Sequence, residues 1–185
     1  MELGVPPREP ATPSRPLVIG PDAHIRSHTV IYGENVIGRA LETGHGVLIR
    51  EANHIGDDVS IGSHSVIEHH VVIGNRVRIH SNAFIPEFTI LEDEAWVGPN
   101  VVLTNARYPL ARDAKTNLKG PTLKRGAKVG ANATILPGVV VGRDALVGAG
   151  AVVVRNVPDR AVVAGNPART VRSVDEIESY RETAR

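Results

Sequence analysis

Residues 49–79, IREANHIGDDVSIGSHSVIEHHVVIGNRVRI, place isoleucine at 49, 55, 61, 67, 73 and 79. Outward from this stretch the spacing runs back through Ile37, Ile31, Ile25 and Ile19. It runs forward through Ile85, Leu91, Val97 and Leu103, with Thr43 the one interruption. It returns at Leu123 and continues through Val129, Ile135, Val141, Val147 and Val153. A helix repeats about every 3.6 residues and a strand about every 2, so neither yields a strict six. A six-residue repeat is the signature of a parallel β-helix built from short flat strands.

Each position of the repeat has its own chemistry. The second is often Gly (Gly20, Gly38, Gly56, Gly62, Gly74, Gly98, Gly130, Gly142, Gly148), which is expected to make a tight corner. The fifth is small or β-branched in most units, as at Ala23, Thr29, Val47, Val59, Ser65, Val71, Val77, Ala83 and Thr89. Positions three, four and six are largely polar. Three units make a triangular coil of eighteen residues with positions one and five pointing inward, and coils stack about 4.8 Å apart. A single coil cannot bury its own apolar face, so only the stack has a core. That core is too narrow for aromatic rings, which accounts for an aromatic content of 3% in a chain this apolar.

A chain of 185 residues has room for one domain. The formal charge of +1 gives no reason to expect nucleic acid or a membrane surface as partner. No stretch has the apolar length of a membrane-spanning helix, the N-terminus has no apolar signal core, and cysteine is absent. A cytoplasmic location is the expectation. Residues 1–16 are Pro-rich without periodicity and read as an extended or disordered arm. Residues 17–171 form the β-helix domain, and residues 105–121 (NARYPLARDAKTNLKGP) leave the repeat as an extruded loop carrying about fourteen surplus residues. Within residues 172–185, Ser173 and Glu176 form a capping box that opens a short C-terminal helix.

The repeat, the loop after VGPNVVLTN, the following PTLKRGAKVGANATILPGVVVG and the terminal VGAGAVVVRNVPDRAVVAGNPAR together resemble the left-handed β-helix (hexapeptide-repeat) acyltransferases. Within these the chain is most similar to the nucleotide-sugar 3-amino N-acetyltransferases. The resemblance covers about residues 19–171. It implies a left-handed parallel β-helix and a homotrimer. It also implies acetyl-CoA as acyl donor in a groove between neighbouring β-helices, no metal, and an amino-sugar acceptor near the extruded loop.

Residues eighteen apart occupy equivalent places on adjacent coils, so polar columns can be read directly. One column runs Gly33, Glu51, His69, Glu87, Asn105; another runs His28, Gly46, His64, Asn82, Asn100; Arg50 pairs with Glu68 in a third. Acyl transfer needs a group that removes a proton from the attacking amine and donors for the charge that develops on the carbonyl oxygen. A His between carboxylates above and below is oriented for proton removal. His69 is therefore the candidate base, with Glu51 or Glu87 orienting it. The bland reading of such columns is a solvated ladder of surface groups. The resemblance places Asn82 in the active-site region as a substrate or oxyanion contact. His64, Asn105, Arg107, Tyr108 and Arg112 are candidates for the acceptor. For the cofactor, the resemblance marks Gly130, Ala131, Gly148 and Ala149 as lining residues. Lys124, Lys128 and Arg169 are the candidates for its phosphates.

Other readings compete. O-acetylation of a sugar or small molecule would use the same groups. The histidines His28, His64 and His69 have spacings similar to the zinc ligands of γ-type carbonic anhydrases, although that pattern would fall on Ser63 and Glu68, one position earlier. A non-enzymatic β-helix is a third possibility and leaves the basic loop without a purpose. Thr43, between Leu41 and Gly44, is either a local distortion exposing His45 or a tolerated Thr bonded to backbone.

Overall fold

The computed structural model describes residues 1–8 and 15–181. Residues 9–14 of the expected arm and 182–185 of the expected helix lie outside the described residues. The strands are two residues long along most of the chain, with the sixth position facing out and the aliphatic first position facing in. They stack into three flat sheets of eight, seven and eight strands. Sheet A includes Leu48–Ile49 and Val66–Ile67, sheet B includes His54–Ile55 and Val72–Ile73, and sheet C includes Ser60–Ile61 and Arg78–Ile79. The register advances by eighteen residues per coil, as in Val18↔Val36 and His54↔Val72. It jumps by thirty-two at Ile90↔Thr122, so fourteen residues are extruded there. The chain is a left-handed parallel β-helix.

The corner chemistry differs from the expectation. None of the second-position glycines has a positive φ. The left-handed residue is the fourth of each unit, and it is mostly not glycine: Asp22, Asp58, His64, His70, Arg76, Asn82 and Phe88 have φ between 55° and 64°. Such a backbone is uncommon for side chains of this size. It recurs here because every corner must turn the same way for the coils to stay in register. The glycines answer a different demand, which is the close approach of the next coil. A Cβ on Gly56 would sit 2.8 Å from the carbonyl carbon of Gly74, and one on Gly62 would sit 2.3 Å from the amide nitrogen of Ser81. Left-handed crossovers oppose the usual rule for parallel strands, but that rule arises from strand twist, and two-residue strands accumulate little of it.

The first and fifth positions fill the interior with Ile, Val, Leu and Ala. Thr43 is buried and paired in register with Ile61. Its hydroxyl accepts the Arg26 backbone N–H at 3.0 Å and lies 3.3 Å from the Thr29 hydroxyl, so this corner is not distorted. Two fifth-position residues are fully buried asparagines, Asn35 and Asn53, stacked at the corner between sheets A and B. Asn35 Oδ1 accepts the Asn53 N–H at 2.9 Å and Asn53 Oδ1 accepts the Val71 N–H at 2.7 Å. The Asn53 amide donates to the Arg50 carbonyl at 2.7 Å. This ladder clamps the AB corner from inside, directly behind residues 50, 51 and 69.

Both ends also depart from expectation. Glu2–Val5, part of the expected arm, is a strand paired in parallel with Val30–Tyr32, so it adds a partial coil over sheet A. At the other end, Ala161–Gly165 and Ala168–Ser173 form an antiparallel hairpin on sheet C, so residue 172 belongs to a strand. The capping box at Ser173 and Glu176 is present, but it opens a single 3-10 turn, Val174–Glu176. The extended backbone of Ile177 separates that turn from the helix Glu178–Arg181.

Asn53→Ala leaves the Val71 N–H buried without a partner and removes the bond to the Arg50 carbonyl. It should lower stability by about 2–3 kcal/mol, read as a fall in the urea midpoint. Gly56→Ala should be comparably damaging because backbone stands where its methyl would go. Gly33→Ala, whose methyl would meet nothing nearer than 3.6 Å and whose φ is not positive, should change stability by less than about 1 kcal/mol.

Candidate active site

The prism has three edges, and the expected site residues divide among them. The AB edge carries Glu51, His69, Glu87 and Asn105, and the loop leaves the coil from this same edge. His69 is half-buried, with its Nε2 3.5 Å from Glu87 Oε1. The Asn105 amide donates to the other oxygen of Glu87. Asn105 also anchors the returning end of the loop, its carbonyl accepting the Lys119 N–H at 2.9 Å. The column is therefore continuous from His69 through Glu87 to Asn105.

Glu51 does not join it. Arg50 takes both its oxygens, at 2.8 Å from Nε and 2.7 Å from Nη2, and reaches Glu68 Oε2 at 3.1 Å with Nη1. Burial pushes the Glu51 carboxyl up, but the hydrogen bonds from Arg50 and from backbone outweigh it and hold Glu51 below the usual carboxylate range. Glu68 goes the other way. Burial raises it, Arg50 opposes, and the carboxylates of Glu87 and Glu51 add to the rise. Glu87 is thus the carboxylate that faces His69, and Glu51 is part of an arginine clamp.

Two neighbours of His69 were not among the expected residues. His70 Nδ1 lies 2.8 Å from His69 Nδ1, so one of these nitrogens donates and the other accepts. Phe88 sits near both imidazoles, its ring centroid 6.3 Å from that of His69 and 5.8 Å from that of His70. His69 and His70 are adjacent in the chain, and an adjacent pair carries no periodic signal. The two ring nitrogens of His69 thus face different partners, Nε2 toward Glu87 and Nδ1 toward His70.

The CA edge carries His28, His64, Asn82 and Asn100, and below them Gly130, Ala131, Gly148 and Ala149. Asn82 is exposed and lies on a different edge from His69, so one chain does not join them. Gly46 is small for the sake of His64, whose Nδ1 would lie 2.8 Å from a Cβ there. His45 is exposed and its Nδ1 bonds the Ser27 hydroxyl at 2.8 Å. His28 and His64 share this edge while His69 is on the other. Among the described residues no group of three His, Asp or Glu side chains converges on a metal position.

The remaining expectations scatter. Lys124 lies on the BC edge and its ammonium donates to Glu92 Oε1 at 2.7 Å. Lys128 projects from sheet C, donates to the Gly126 carbonyl at 2.8 Å and lies over the Tyr180 ring. Arg169 lines a small cavity of about 160 Å³ together with Arg155, a residue the sequence reading passed over. Gly130 and Gly148 do lie together, but a Cβ on Gly130 would stand 2.6 Å from the Ala149 amide nitrogen, so coil stacking already requires it. In the loop, Tyr108 is 71% and Leu110 99% exposed, and Arg107 and Arg112 are exposed beside them. Within one chain none of these reaches His69.

Comparison with known proteins follows this geometry. Residues 14–117 match the family described as GMPPB C-terminal domain, and residues 120–155 match the bacterial transferase hexapeptide (six repeats). The putative acetyltransferase YJL218W of Saccharomyces cerevisiae is 30% identical over 87 residues, 44% of this chain and 43% of that protein. A 2,3,4,5-tetrahydropyridine-2,6-dicarboxylate N-acetyltransferase of Clostridium perfringens is 48% identical over 48 residues, 26% of this chain and 20% of that protein. The chain therefore spans less than half the length of these curated relatives. The crystal structure of the polySia-specific acetyltransferase NeuO superposes with a TM-score of 0.59 at 18% identity, covering 91% of this chain and 97% of that one.

The clamp and the column make separable predictions. Glu87→Gln should lower kcat/KM for acetyl transfer by about tenfold or more, and His69→Asn by about 10²–10⁴. Glu51→Gln should leave kcat/KM within a few-fold while lowering stability at neutral pH by about 1 kcal/mol. Glu51 sits below its unfolded value, so its contribution is complete above about pH 4.3 and is lost as the pH falls through the lowered folded value. The stability gap between wild type and Glu51→Gln should accordingly close in acid.

Proposed function

The chain belongs to the GMPPB C-terminal domain family, with bacterial transferase hexapeptide repeats in its later coils, and we propose that it is an acetyl-CoA-dependent N-acetyltransferase acting on an amino sugar, with a nucleotide-linked sugar as the expected acceptor. The observation that carries this reading is His69, held between Glu87 and His70 on the edge where the loop leaves the helix. The relatives' names, an acetyltransferase and an N-acetyltransferase, support the reaction class and an amine acceptor. The sugar rests on the resemblance of the segments around the loop.

In this reading the acyl donor supplies a thioester whose carbonyl carbon is attacked by the acceptor amine. His69 Nδ1 removes the proton from the attacking nitrogen, and Glu87 with Asn105 fixes the ring and stabilises its charged form. The new bond is the amide and the bond broken is carbon to sulfur. The leaving sulfur takes the proton from His69 and departs as the free thiol. Asn82 is suited to donate a hydrogen bond to the carbonyl oxygen as charge develops there.

That last role requires a second chain, because Asn82 and the small residues of the CA edge are not on the edge that holds His69. We place the AB edge of one chain against the CA edge of the next. Three such head-to-tail contacts close a ring. The face between these two edges is sheet A, whose outward residues Val30, Leu48, Val66, Phe84, Val102 and Val152 are apolar, with Thr134 the exception. Sheet C presents a mixed row instead, with Glu42, Ser60, Arg78 and Lys128 beside Trp96 and Leu146. Sheet A facing the threefold axis buries that ladder, and the exposed loop tip of one chain reaches its neighbour.

Native mass spectrometry should find three chains of 19.7 kDa each. Phe84→Glu should yield folded monomers without transferase activity. Acetyl-CoA at a hundred times its Kd should stabilise the wild type by about 2.7 kcal/mol, and zinc should not. Free thiol release should be seen with an amino-sugar nucleotide and be absent with its hydroxy counterpart. A persistent monomer that fails to bind acetyl-CoA would overturn the assignment.

A further inference from the structure

The N-terminal segment has no role in the reaction described above, yet it is tied to the edge that carries His69. Gly33 donates its N–H to the Val5 carbonyl at 2.8 Å, and Glu34 donates to the Arg15 carbonyl at 3.2 Å. Both ends of the crossing from sheet A to sheet B are thus pinned to the AB corner, and each brings an arginine. A cavity of about 460 Å³ is lined by Arg8, Arg50, Glu51 and His69. A second of about 470 Å³ is lined by Arg15, Val18, Val36, His54 and Val72. They share Glu34, Ala52 and His70, so they form one cleft that wraps the corner. Its size suits a ligand larger than a monosaccharide.

The lining changes along its length. Arg8 stands in the polar part with Arg50, Glu51 and His69, Arg15 stands in the part where Val18, Val36 and Val72 form an exposed apolar ladder on sheet B, and His70 lines both. Three guanidinium groups face two carboxylates, Glu34 and Glu51. Arg50 is already engaged by Glu51 and Glu68, whereas no ion pair of Arg8 or Arg15 occurs among the described residues. We propose that this cleft is the acceptor site, that Arg8 and Arg15 bind a phosphate-bearing part of the acceptor, and that the valine ladder receives a flat apolar group beyond it. Guanidinium groups match phosphate oxygens in geometry and charge, which two lysines would do less well. The assignment rests on the transferase reading for the group that reaches His69. It moves the main anion contact from the loop arginines to the segment before the first coil.

Calorimetric titration of the full chain with UDP, GDP and inorganic pyrophosphate tests this, with saturating coenzyme A present so that its own diphosphate site is filled. Arg8→Ala/Arg15→Ala should weaken the nucleoside diphosphates at least tenfold and keep acetyl-CoA affinity and melting temperature unchanged. Arg112→Ala should leave nucleotide affinity within threefold. Wild-type affinity should fall steeply with added salt. Unchanged nucleotide affinity in the double variant, or no nucleotide binding by the wild type, overturns the proposal even where acetyl-CoA binds. If acetyl-CoA fails to bind while the nucleotide effect persists, the cleft assignment stands and the transferase reading falls.

Discussion

Hydrogen bonding between each coil and the next, repeated every eighteen residues, constrains everything else in this molecule. Each two-residue strand finds its partners only in the coils above and below, so a change in one coil is transmitted to its neighbours as a change of register. Three consequences follow from that constraint. The regular corners turn with the same left-handed residue at the fourth position, even where the side chain is His or Phe. The second position is often glycine because the next coil's backbone occupies the space of a Cβ. Surplus chain can leave only at a corner, and does so between Leu103 and Leu123 without disturbing the stack.

The same regularity explains which parts of the molecule could be read in advance. Inward first and fifth positions, the eighteen-residue columns and the fourteen-residue excursion are consequences of a period, and a period is visible in a sequence. The column of His69, Glu87 and Asn105 was legible for that reason. The competition for Glu51 was not, because Arg50 is its sequence neighbour and captures it sideways, outside any column. The buried Asn35 and Asn53 were passed over because they fill fifth positions that otherwise take small or β-branched residues. Their pairing is visible only once the corner backbone offers unpaired groups. Asn82 is thirteen residues from His69 and so falls in another column; it entered through the family resemblance and not through the period. The N-terminal segment has no period at all, and its pairing with the first coil depends on the unused edge of sheet A.

The geometry separates two tasks between two edges. On one, an imidazole is oriented by a carboxylate, backed by an arginine clamp and a buried amide ladder, beside a cleft with apolar and basic parts. On the other, small residues and exposed amides line a corner. Neither edge holds the groups for acyl transfer alone. The proposed assembly joins them, and it accounts for the apolar face of sheet A that lies between.

The most direct test is complementation between two inactive chains. His69→Asn disables the AB edge, and Ala149→Asp places a charge on the CA edge where the donor is proposed to lie. Coexpressed and isolated as mixed trimers, these chains should regain activity at about a third of the sites, since every ring that holds both chains pairs an intact AB edge with an intact CA edge once. Mixed trimers that form and remain inactive would contradict a site built between chains.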